Sequence, residues 1–97
     1  CYILDRENVG LNLAAELFDP KSGRRMTVET TEPGIQFYSG NFLDGSQSVG
    51  CNVFEQHGAI CLETQHFPDA VNQATFPSVV LRPSQTYRQT TVHTFSW

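Results

Sequence analysis

The stretch "RMTVETTEPGIQFY", residues 25–38, carries the reading of the fold. Through its first half, apolar and polar residues alternate: Met26 and Val28 take one side, Thr27, Glu29 and Thr31 the other. A period of two is that of a strand, whose successive side chains point to opposite faces. Glu32-Pro33-Gly34 then breaks the run, with the fixed φ of proline followed by a flexible glycine, as a turn demands. Beyond it, Ile35 and Phe37 fall together, with Gln36 and Tyr38 opposite them. Strand, turn, strand is the simplest account, and it makes the chain a β protein.

The same pattern extends both ways. "LNLAAELF" (11–18) places Leu11, Leu13, Ala15 and Leu17 on one face, and "DPKSG" supplies the next turn. "CYIL" at the start reads as the interior of a strand. Residues 39–58 form a long loop punctuated by Gly40, Gly45, Gly50 and Gly58, long enough to be functional or a lid. "AICLETQ" (59–65) returns to alternation, with Ile60, Leu62 and Thr64 on one face and Cys61, Glu63 and Gln65 on the other. "FPDAVNQ" suits a single helical turn, and "SVVL" (78–81) reads as a strand buried on both faces. After the turn "RPSQ", "TYRQTTVHTFSW" (86–97) closes the chain as a Thr- and aromatic-rich strand. No segment has helical periodicity. The expectation is an all-β, sandwich-like antiparallel fold of about seven strands.

Composition bounds the function. With 97 residues the chain is one domain at most, or a piece of a larger one. A hydrophobic content of 39% is too high for disorder. The net charge is −4, Lys21 is the only lysine, and no basic cluster exceeds Arg24-Arg25. That leaves no electrostatic footprint for nucleic acid or an anionic membrane. The longest apolar runs are far too short to cross a bilayer as a helix, and no signal-peptide pattern is present. The opening at Cys1, already strand-like, leads us to expect a segment upstream. Cys51 and Cys61 lie ten apart, a spacing that a hairpin disulfide could bridge, although three buried thiols is the blander account. Scarce lysine and the cysteine usage lean toward an oxidising compartment.

The chemistry on offer is modest. Alternation puts Glu63 and Gln65 on one face of a strand, about 6.5–7 Å apart along it. Gln36 points away from its apolar neighbours on another strand. Were these strands adjacent, a carboxylate and two amides would line one surface, a set suited to a polyhydroxylated ligand. The plain alternative is a solvated sheet face. Cys51, His57, Cys61 and His66 could ligate zinc, but their spacing lacks the close pairs of structural sites, so no metal or other cofactor is expected. There is no Gly-x-Ser-x-Gly elbow and no cysteine with a recognisable base. His93, within the final strand, reads as structural.

Two longer stretches resemble a known family. "TTEPGIQFYSGNFLDG" (30–45) and "GAICLETQHFPDAVNQATFPSVVLRPSQTY" (58–87) are similar, in order and spacing, to segments of the aldose 1-epimerases, or galactose mutarotases. "CYIL" resembles the segment that follows an Asp-His pair in those enzymes. The likeness runs nearly end to end and corresponds to the C-terminal third of a typical member. It implies a place in a large antiparallel β-sandwich, a galactose mutarotase-like supersandwich, incomplete without an N-terminal segment and with unpaired edges when alone. It implies cofactor-free interconversion of the anomers of an aldohexose such as glucose or galactose, with Glu63 as general base and Gln36 as a sugar contact. The catalytic acid, a second binding histidine and a sugar-binding aspartate would come from the upstream segment. None of His57, His66 or His93 matches them. The alternative on the same scaffold is a non-catalytic sugar-binding or sugar-sensing protein. Cys51 and the 46–57 loop depart from the family pattern, where substrate preference could shift, as does Ser84-Gln85, read as a surface turn change. Members are often cytosolic, whereas a Cys51–Cys61 bridge and low lysine would suit secretion.

Overall fold

The computed structural model describes residues 1–97. Eight strands account for the regular structure: β1 (Tyr2–Ile3), β2 (Asn12–Phe18), β3 (Arg25–Thr30), β4 (Gly34–Tyr38), β5 (Ser48–Val49), β6 (Asn52–Val53), β7 (Cys61–Gln65) and β8 (Thr91–Ser96). The only helical element is a 3₁₀ turn at Ala70–Asn72, where a single helical turn was expected. One antiparallel sheet has the order β1-β4-β7, a second β2-β3-β8, and β5-β6 is a separate two-stranded ribbon. The all-β antiparallel expectation therefore holds.

The opening stretch is a corner between sheets and not a hairpin. β3 pairs with β2 and β8, whereas β4 pairs with β1 and β7. The Glu32-Pro33-Gly34 turn carries the chain from one sheet into the other. A proline there costs no ladder bond, because its missing N–H lies between the two strands.

Four expectations need correction. In β2, Leu13 lies opposite Glu29 and Ala15 opposite Val28, so Ala14 is an extra, bulged residue. Neighbours on β3 face opposite ways, so Leu13 and Ala15 do not share a face, and a bulge is what breaks the period of two. Asn12 turns inward instead and is buried. Its amide nitrogen donates to the carbonyls of Asn8 and Gly10, and its oxygen accepts from the amides of Glu7 and Asn8. Residues 78–81 form no strand: Val79, Val80 and Leu81 are exposed, with no strand beside them to complete a ladder. The 39–58 segment is only partly loop, since β5 and β6 fold back through Gly50, whose φ of +62° suits the tight two-residue turn. That turn puts Cys51 at the ribbon's tip, whereas Cys61 opens β7 opposite Tyr38. Neither reading of the cysteines holds: the Cys51–Cys61 bridge is not formed and the thiols are not buried, all three being free and exposed.

Where the chain does bury residues, it buries a polar corner. Nine residues are buried, and six of them (Val28, Thr30, Glu32, Pro33, Gly34 and Ile35) lie within 28–35. A threonine seam joins the two sheets there. The Thr91 hydroxyl on β8 lies 2.7 Å from that of Thr64 on β7 and 3.0 Å from that of Thr30 on β3. Thr31 adds backbone and side-chain bonds to Thr90, and its hydroxyl meets the Gln89 side chain. Buried polar groups hold a geometry only when partnered, and these are.

Candidate functional site

β4 and β7 are antiparallel neighbours in the register Gly34↔Gln65, Ile35↔Thr64, Gln36↔Glu63, Phe37↔Leu62 and Tyr38↔Cys61. Residues directly opposite in such a pair share a face, with Cβ atoms about 4.5–5.5 Å apart. Gln36 and Glu63, named from sequence on separate strands, are thus direct cross-strand partners, and Gln65 is on the same face. The alternation also holds on the other face, where Ile35, Phe37, Leu62 and Thr64 turn together.

Little of the chain competes for these groups. Glu63 is exposed and its carboxylate makes no ion pair or hydrogen bond with another side chain. The Gln36 amide reaches only the carbonyl of Phe37, at a long 3.5 Å. Gln65 donates to the Cys1 thiol at 3.7 Å. Between Gln65 and β1 the position on β4 is Gly34, which is buried under its neighbours. A Cβ there would lie 3.1 Å from Tyr2 O and from the Phe67 ring, and 3.2 Å from Cys1 Sγ. A carboxylate that is exposed and two amides that are half-buried, along one strip, can accept from and donate to several hydroxyls at once. Cys1 and Gly34 complete this strip. Neither was singled out from sequence, because only the strand register brings them beside Gln65.

The histidines lie elsewhere. His57 Nδ1 is 2.9 Å from the carbonyl of Ser39, and His93 on β8 lies opposite Val28 in the other sheet. His66 is committed to Glu32: its Nδ1 stands 2.6 Å from Oε2, close but without the alignment of a directed hydrogen bond. Tyr87 donates its hydroxyl to the other oxygen of Glu32 at 2.7 Å. That bond to a carboxylate holds the phenol above its ordinary value, with burial and the negative charge adding to it. Nothing in the sequence links positions 32, 66 and 87; only tertiary folding does. Beyond β7, Asp69 adopts a left-handed φ of 60° and accepts from the side chains of Gln73 and Asn72, which hold its carboxyl below the ordinary range.

Comparisons with known proteins bear on the whole chain. The family model described as "Aldose 1-epimerase" matches residues 1–94. Galactose mutarotase of Homo sapiens is 51% identical over 86 residues, 88% of this chain and 25% of that protein. The Rattus norvegicus galactose mutarotase is 46% identical over 92 residues, 94% of this chain and 27% of that protein. Aldose 1-epimerase of Escherichia coli (strain K12) is 32% identical over 96 residues, 97% of this chain and 28% of that protein. The chain thus spans about a quarter of the length of the curated relatives it matches.

Proposed function

The chain belongs to the aldose 1-epimerase family, and on that premise we propose that it supplies the base-bearing part of a mutarotase. The observation that carries this reading is the pairing of Gln36 with Glu63 across β4 and β7, with Gln65 on the same face. Glu63 is the general base. Its carboxylate takes the proton of the anomeric hydroxyl while an acid protonates the ring oxygen, and the bond from that oxygen to the anomeric carbon breaks. The open-chain aldehyde rotates about its first carbon–carbon bond. On closure the C5 hydroxyl gives its proton back to the acid's conjugate base as its oxygen re-forms the bond to the anomeric carbon, the proton held by Glu63 returns to the anomeric oxygen, and the other anomer leaves. Gln36, opposite Glu63, steadies sugar hydroxyls through its amide. The substrate is an aldohexose, glucose or galactose, and no cofactor takes part.

The acid is a histidine of an N-terminal segment of the same protein, with which residues 1–97 complete one large β-sandwich. His66 is occupied by Glu32, His57 faces a backbone carbonyl, and His93 belongs to the other sheet. This division of the site also sustains a second reading, a sugar-binding protein without turnover, because the polar strip can bind hydroxyls whether or not an acid faces it.

The test is Glu63→Gln in the full-length protein, followed by polarimetry on fresh α-D-glucose and α-D-galactose. The amide keeps the shape and loses the base, so turnover falls by about 10²-fold or more while sugar binding persists. Unchanged turnover would remove Glu63 from its role. A wild-type protein that binds either sugar without accelerating its mutarotation would select the second reading.

A further inference from the structure

The most enclosed ionisable group in the chain stands beside the sugar-facing strip and not on it. The Glu32 side chain is only 6% exposed. A carboxylate that deep requires partners, and it takes them from two distant segments: the Tyr87 hydroxyl on Oε1 at 2.7 Å and His66 Nδ1 by Oε2 at 2.6 Å. The His66 and Tyr87 rings lie 6.2 Å apart, so the three side chains form one cluster. The Glu32 amide is itself tied to the Thr30 hydroxyl at 3.1 Å, which joins the cluster to the threonine seam.

The cluster sits at one end of the ladder that carries the strip. Glu32 is two residues before Gly34, Gly34 pairs with Gln65, and Gln65 immediately precedes His66. Two residues further along each strand stand Gln36 and Glu63. Whatever fixes Glu32 against His66 therefore ties β7 to β4 at the end of the ladder, two residues from Glu63.

We propose that Glu32 is a positioning residue: gripped by His66 and Tyr87, it sets the register and tilt of β7 on β4, and so the placement of the Glu63 carboxylate relative to Gln36. This rests on the reading of that strip as the mutarotase site. Stability alone is a poor account of the cluster, because apolar side chains of similar volume commonly hold a corner at least as well as a buried charge does. What the carboxylate adds is direction. One oxygen accepts from the Tyr87 hydroxyl while the other lies against the His66 ring, so the carboxylate meets two separate segments at once. Acid–base chemistry at a hemiacetal depends on such placement, since an error of about 1 Å in a reacting group can cost about 10²-fold.

The experiment uses the full-length protein with Glu32→Gln, Tyr87→Phe, His66→Phe, Glu63→Gln and the double variant Glu32→Gln/Glu63→Gln. Turnover, KM and thermal unfolding are measured for each. Glu32→Gln is expected to lower kcat about tenfold or more with KM changed by less than about threefold, since binding groups remain while the base is misplaced. In the double variant the second loss should vanish, because Glu32 acts through Glu63. A folded Glu32→Gln with wild-type kcat overturns the proposal, as does a loss that recurs in full on top of Glu63→Gln. Should Glu32→Gln fail to fold, Tyr87→Phe and His66→Phe take its place. A severalfold drop in kcat in either supports the proposal, and wild-type kcat in both overturns it. Should the wild type show no mutarotation, the functional reading falls by itself. Amide exchange over 34–38 and 61–65, followed by mass spectrometry, then decides positioning: faster exchange in the variants supports it, unchanged exchange overturns it.

Discussion

A Cβ added at Gly34 would stand 3.1 Å from the Tyr2 carbonyl, a backbone atom that cannot swing aside. Gly34→Ala should therefore force β1 to give by a few tenths of an ångström and cost about 1–3 kcal/mol, the usual penalty for overpacking, as denaturant unfolding would show. Gln36→Ala makes the contrasting case. The residue is part-exposed with one weak bond, so stability should move by less than about 0.5 kcal/mol. If Gln36 holds the sugar as proposed, its loss should instead raise KM severalfold, measured on the full-length protein. Asp19 is a third kind of residue. The Ser22 hydroxyl and the Lys21 amide hold its carboxyl below the ordinary range in the β2–β3 turn. A depressed carboxyl contributes stability above its unfolded value, near 3.9, and loses it as pH falls through the lower folded value. Asp19→Asn should thus unfold less steeply between pH 4 and pH 2 than wild type, which thermal melts at stepped pH would reveal.

Between elements, the polar corner at 28–35 does the work that an apolar core does in a closed domain. The threonine seam ties β7 to β8, and Tyr87 ties the run into β8 to Glu32. Because the Tyr87 phenol is held above its ordinary value, the neutral form is the one the fold favours. That stability is fully present below the unfolded phenol value, about 10, and is lost as pH rises through the raised folded value. Tyr87→Phe should lower the melting temperature at pH 8 and narrow its further fall between pH 10 and pH 11.5; an equal alkaline fall in both proteins would contradict the assignment. The elements also show where sequence reading succeeded. Alternation placed Gln36 opposite Ile35 and Phe37, and Glu63 with Gln65, and both assignments hold in β4 and β7. It failed in β2, where Ala14 is inserted at a bulge that hydrophobic periodicity does not mark, and at 78–81, where an apolar run has no strand beside it.

The molecule as a whole is open. Its accessible surface is 7599 Å², against about 5,600 Å² for a self-contained monomer of this mass. Its radius of gyration is 16.4 Å, against about 12.5 Å for a compact chain of this length. Much of the excess is apolar: Tyr2, Ile3, Leu13, Phe37 and Leu62 line a shallow groove between the two sheets, and the first four are exposed. Apolar patches of that extent mark an interaction surface or an aggregation liability. The 97-residue chain expressed alone should bind a hydrophobic dye and self-associate, whereas the full-length protein should do neither. Sedimentation and dye fluorescence would check both, and a monomeric, dye-silent chain would contradict the proposed completion by an N-terminal segment.

The amino-acid order by itself determined the β class, the turn residues and the side on which Gln36, Glu63 and Gln65 emerge. These are local properties: a period of two and the backbone limits of proline and glycine act within a few residues. It also carried the family, through the order and spacing of its motifs. Tertiary structure alone decided that the Glu32-Pro33-Gly34 turn joins two sheets instead of closing a hairpin, that β4 lies beside β7 so that Gln36 faces Glu63, and that Glu32 meets residues 34 and 55 positions further along. Each of those depends on which strands find one another. Pairing of that kind is settled by long-range hydrogen bonding and burial, which the local alternation of side chains does not encode.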